Sequence, residues 1–88
     1  MADAEDTAIA VLVWLAGEPE LMGRFLALTG LEASNLREAA KEPGFLAGVL
    51  GFLMSHEPTL LDFCAATNTR PETISHAFQA LGGASETG

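Results

Sequence analysis

Two histidines, one cysteine and twelve acidic residues are the side chains of this 88-residue chain with the chemistry for catalysis or metal binding. His56 and Glu57 stand together, as the first two residues of a zinc-binding helix motif do, but that motif needs a second histidine four residues on and Leu60 holds that place. Pro58 breaks the turn as well. His76 meets His56 only through tertiary structure, which leaves too few ligands for zinc. Cys64 lies in an apolar stripe with no activating group beside it, whereas a cysteine nucleophile works as the thiolate. Being the single cysteine, it forms no internal disulfide, which fits a reducing compartment. Ser34 sits in Ala-Ser-Asn-Leu and lacks the Asp-Ser-Leu context in which carrier proteins bear their prosthetic arm. The glycines fall inside or at the ends of expected helices, so no loop is placed to cradle phosphate. The expectation is no catalytic residue, no metal and no cofactor.

Charge bears on the partner. The net charge is −8, and the four basic residues, Arg24, Arg37, Lys41 and Arg70, are scattered. Nucleic acids and anionic lipid draw affinity from clustered Lys and Arg, so this surface disfavours both and suits a basic protein partner. Phe25 to Ala39, with Gly30 in the turn and Leu31, Leu36 and Ala39 inward, has the spacing of a helix-turn-helix. Phe63, Asn68, Ile74 and Ala77 repeat that spacing. The would-be reading residues (Arg37, Glu38 and Lys41, then Glu72, Thr73, Ser75, His76 and Gln79) carry little with which to hold DNA. A transcription-associated relative with weak or no direct DNA binding is the alternative reading.

The elements that position these residues are helical. Alanine and leucine dominate, tyrosine is absent and no window alternates in the two-residue period of a strand. The pattern predicts an all-α bundle of about six short helices in one domain over 1–83, with a disordered tail over 84–88. Helix 1 is expected over 3–16, with Ala8, Ile9, Leu12, Leu15 and Ala16 inward and Gly17 as a left-handed stop. Val11 and Trp14 lie to one side of that stripe, so the helix is either sandwiched or exposes Trp14. Helix 2 opens at Pro19, puts Leu21, Met22, Phe25 and Leu28 on one face and closes at Gly30, and helix 3 runs to about Lys41 with Leu36, Ala39 and Ala40 inward, despite Ser34 and Asn35. Helix 5 runs from Pro58 to about Thr67, with Leu60, Leu61, Phe63 and Cys64 apolar and Asn68 as a left-handed cap. Helix 6 starts at Pro71, carries Ile74, Ala77, Phe78 and Leu81 as its stripe, and ends at Gly82-Gly83.

The uncharged run 43–55 reads as a central helix, apolar all round and so buried. It is shorter than the roughly 20 residues a bilayer crossing takes. Gly44, Gly48 and Gly51 share one stripe with Ser55. Each glycine costs a helix interior roughly 1 kcal/mol against alanine, so the stripe implies close approach of another backbone, inside the chain or across a self-association seam.

Offsetting the chain by 38 residues aligns Val11 with Val49, Leu12 with Leu50, Leu15 with Leu53, Phe25 with Phe63, Ala39 with Ala77 and Gly44 with Gly82. Gly30 and Asn68 coincide as the residues best suited to left-handed backbone. Helices 1–3 and 4–6 are therefore expected as two related units around a pseudo-two-fold axis.

Arg24-Phe-Leu-Ala-Leu-Thr-Gly-Leu31, Leu36-Arg37, Pro43-Gly-Phe-Leu-Ala47 with Val49-Leu50 and Phe52-Leu53, and Ala80-Leu-Gly-Gly83 resemble a family of small bacterial proteins catalogued as a domain of unknown function. The resemblance covers nearly the whole chain and implies a stand-alone cytoplasmic helical domain, with no activity to carry over. The acidic first turn, Asp3, Glu5 and Asp6, is unlike a signal peptide and points the same way. The reading is a cytoplasmic, non-enzymatic interaction or adaptor module, with a basic protein or a second copy as partner. Val11, Trp14, Gly44, Gly48 and Gly51 are the expected contact residues, and Trp14 is either core or surface.

Overall fold

The computed structural model describes residues 3–82, and the tail expected over 84–88 lies outside them. The helices are α1 (Ala4–Ala16), α2 (Pro19–Thr29), α3 (Leu36–Ala39), α4 (Pro43–Met54), α5 (Glu57–Thr67) and α6 (Pro71–Ala80), with a 3-10 turn over Ala33–Asn35 and no strand among the described residues. Local chemistry sets nearly every boundary. The Asp3 carboxylate caps α1 by accepting from the Asp6 N–H at 2.9 Å, meeting one of the donors a helix start leaves unpaired. α2, α4, α5 and α6 each carry proline in the first two positions, where the missing N–H costs nothing. Gly30 at φ +76° and Asn68 at φ +57° turn left-handed and close α2 and α5.

Gly17 departs from the expected left-handed stop: its φ is −90°. The Gly17 and Glu18 amides donate back to the Trp14 and Leu15 carbonyls at 3.0 and 2.8 Å, and Glu18 extends as residues before proline do, so α1 ends without a reversal. Helix 3 is also shorter than expected. Ala33–Asn35 form only a 3-10 turn and α3 is a single turn of four residues, as serine and asparagine at its start would have it.

α1, α4 and α6 pack on one another, with α2 against α1 and α5 against α4. Ala8, Val11 and Leu15 of α1 meet Leu46, Val49, Leu50 and Leu53 of α4, Phe25, Phe63, and Ile74 with Ala77 of α6 in one buried cluster. The Phe25 ring sits edge-on to Phe45 and Phe52 with centroids 5.7 and 5.2 Å apart.

Several faces are rotated from the expected ones. In α1, Val11 is core while Ile9 and Ala16 are exposed. Both stripes have helical spacing, so periodicity alone does not choose between them. In α5, Thr59 is buried and Leu61 exposed. In α4, the helix expected to be buried all round, Gly44 and Gly48 are exposed and Gly51 is half-buried. Glycine counts as apolar in a pattern but has no side-chain surface to take out of water, so that arc has little reason to face inward.

The 38-residue offset marks the core well. Val11 and Val49, Leu15 and Leu53, and Phe25 and Phe63 are each buried as pairs. α6 packs across α1 and α4 over ten residues, whereas α3 is one turn that adds only Leu36, with Ala40 beyond it, to the edge of the core, so the third helices do not display the two-fold arrangement.

Candidate functional site

The outer stripe of α1 leaves apolar side chains exposed. Glu5, Asp6, Ile9, Val13 and Ala16 recur at three- and four-residue spacing along one side, and all five are exposed. Ile9 is 42% and Val13 67% exposed, with one turn of helix between them. The opposite side of the same helix holds Ala8, Val11 and Leu15 in the core, which fixes how α1 is rotated. Leu28 of α2, expected to face inward, and Leu61 of α5 are also exposed.

The expected contact residues divide. Val11 is fully buried, so it is core and not contact surface, because α1 turns its Ala8–Val11–Leu15 stripe inward. Trp14 is half-buried, its ring edge-on to Phe63 with centroids 5.5 Å apart, so it closes the rim of the core. Gly44 and Gly48 are exposed and a Cβ built on either meets nothing within 4 Å, so among the described residues no other element's backbone approaches them. Gly51 is different: a Cβ there comes within 3.2 Å of Phe78 Cε1, and the glycine makes room for the α6 ring. The stripe thus packs within the chain at Gly51 alone. Ile9 was expected inward and Val13 was not among the expected contacts, and only Val13 has a pairing unlike that of Val11 and Leu15. Across the 38-residue offset, Val11 and Leu15 meet their own kind, while Val13 meets Gly51.

The residues with chemistry are dispersed. His56 precedes α5, and its Nδ1 lies 2.8 Å from the Thr59 Oγ1, giving the buried threonine a hydrogen-bond partner. His76 lines a shallow cleft of about 240 Å³ between the start of α1 and α6, with Asp3, Thr7 and Thr73 at its polar edge and Ala4, Ala77 and Ala80 beneath. No three His, Cys, Asp or Glu side chains gather closely enough to hold a metal ion among the described residues. Cys64 is buried, and burial with the charge of Glu72 beside it pushes its thiol above the ordinary range, away from the thiolate. The helix-turn-helix spacing resolves into α2, the Gly30 turn and a one-turn α3, on which Arg37 and Glu38 are exposed. Lys41, just beyond, pairs with Glu38 at 3.4 Å. No helix among the described residues is long and apolar enough to cross a membrane.

The fold and these faces define a small all-helical domain organised on a three-helix core of α1, α4 and α6. The chain belongs to the DUF3572 family, proteins of unknown function, whose family model matches residues 1–84. No curated protein and no solved structure matches it.

Proposed function

We propose that this chain is a non-enzymatic protein-interaction module whose contact surface is the outer stripe of α1. The observation that carries the reading is the exposure of Ile9 and Val13 on one stripe, where two β-branched apolar side chains stay in water beside a well-filled core. The backbone bared at Gly44 and Gly48 of α4 adds a second smooth face on which a partner helix fits closely. Cytoplasmic placement goes with this reading, supported by the unpaired Cys64. The transcription-associated reading has less support, because the one-turn α3 is too short to lie along a major groove and the chain carries a charge of −8.

A photo-crosslinking amino acid at position 13, compared with the same group at the exposed position 38, tests this in the cells that make the protein. A discrete adduct from position 13 and none from position 38 is the expected result. Equal adducts from both, or none from position 13, overturns the reading.

A further inference from the structure

We infer that residues 19–42, the segment of α2 and α3, form a strap that opens from the rest of the folded chain and bares an aromatic face of α4. The inference does not rest on the outer stripe of α1. Within residues 19–42 Phe25 alone is buried. Residues 57–80, which the 38-residue offset aligns with that segment, bury Thr59, Phe63, Cys64, Ile74 and Ala77. Phe25 and Phe63 are the anchor the two segments share, and α5 with α6 adds four buried neighbours to it where α2 with α3 adds none. Leu21, Met22, Leu36 and Ala40 reach the edge of the core but stay partly in water, and Leu28 is exposed.

Polar contacts do not add to the hold. Thr29 Oγ1 donates to the Phe25 carbonyl at 3.0 Å and Lys41 pairs with Glu38 at 3.4 Å, both inside the segment. Among the described residues no side-chain hydrogen bond or ion pair ties it to α1, α4, α5 or α6. Apolar contact with one deep anchor holds the segment, and elements with few buried side chains open at a free energy below that of global unfolding. The two joints suit such a motion. Glu18 and Glu42 each precede a proline and lie outside the helical region, at φ −121°, ψ 87° and φ −97°, ψ 123°, so the segment is not continuous with α1 or with α4. On opening, Phe25 leaves its edge-on contacts with Phe45 and Phe52, and those two half-buried rings of α4 come into water.

Native-state amide hydrogen exchange of the full chain, read by two-dimensional NMR over a series of sub-denaturing urea concentrations, tests the strap. The inner amides of α2 are expected to be about tenfold or more less protected than those inside α1, α4 and α6. Their protection is also expected to fall less steeply with urea, because opening exposes only part of the surface that unfolding exposes. The α5 amides are expected to follow α4 and α6. Phe25→Ala gives a second measurement. Emptying a core position of phenylalanine shifts an equilibrium by roughly a hundredfold or more, yet the open state already holds Phe25 in water and is indifferent to its loss. The variant is therefore expected to lose the protection of α2 while α1, α4 and α6 stay folded and lose no more protection than α2 had in the parent. Inner α2 amides with the protection and urea dependence of α1, α4 and α6 overturn the inference, since the chain then opens as one unit. Exchange of α5 ahead of α2 overturns it, because burial then does not decide which segment opens. A Phe25→Ala chain that loses α1, α4 and α6 together with α2 overturns it as well.

Discussion

Gly48→Ala tests the placement of the α4 glycines most directly, because inward and outward placements predict opposite signs. Gly48 lies in the middle of α4 and is exposed, and a Cβ built on it meets no atom within 4 Å. Alanine there adds no clash and removes the backbone entropy that glycine loses on joining a helix, a gain of about 0.8–1.0 kcal/mol at an interior position. In a domain of this size that raises Tm by about 4–8 °C. Gly51→Ala, one turn further on, has the same entropic gain, but its Cβ meets Phe78 Cε1 at 3.2 Å and the ring must give way, so its gain falls short of Gly48→Ala. Urea unfolding followed by far-UV circular dichroism and by Trp14 fluorescence reads both variants. The expected outcome is a higher midpoint for Gly48→Ala at unchanged slope, with Gly51→Ala below it. A Gly48→Ala variant less stable than the parent refutes the reasoning, since that sign requires a close neighbour at Gly48 and α4 would then sit in the fold at another rotation.

Asp3→Ala removes the α1 cap and is expected to cost about 1 kcal/mol by the same unfolding assay, whereas Asp3→Asn, an equally good cap, stays within a few tenths. Asn68→Ala puts a residue that disfavours left-handed backbone more than asparagine does at φ +57° and is expected to destabilise by about 1 kcal/mol, while Asn68→Gly holds stability or raises it. Cys64 gives a pH dependence of fixed sign. Its thiol is raised by burial and by Glu72, so the folded chain keeps a proton that the unfolded chain releases. Stability is therefore level below the ordinary thiol range and falls as pH rises past about 8.5, and the part of that fall belonging to the thiol disappears in Cys64→Ala. Phe63→Ala empties a core position and strips Trp14 of its edge-on partner. A loss of about 3–5 kcal/mol is expected, with the Trp14 emission shifted to the red.

The helix boundaries were legible because they depend on backbone chemistry that one residue decides. Proline tolerates a first turn and little else in a helix, and Gly30 and Asn68 accept left-handed backbone where most residues do not. Gly17 shows the limit of that logic: the same residue type ends α1 at φ −90°, where its own amide and that of Glu18 bond back to the Trp14 and Leu15 carbonyls without left-handed backbone. Which side of each helix faces inward was much less legible. α1 and α4 are apolar over so much of their circumference that the choice falls to competition among tertiary contacts, and the outer stripe of α1 was missed for that reason.

Positions 13 and 51, 38 residues apart, differ in what covers them. In the second half of the chain, Gly51 receives the Phe78 ring of α6. The residues aligned with them in the first half are Val13 and Ala40. Valine for glycine fills the place that a ring would enter, and alanine for phenylalanine removes the ring that would cover it. Ala40 follows a helix of only one turn, too short to lie across α1 as α6 lies across α4. Val13 is 67% exposed, whereas Gly51 is half-buried beneath the Phe78 ring.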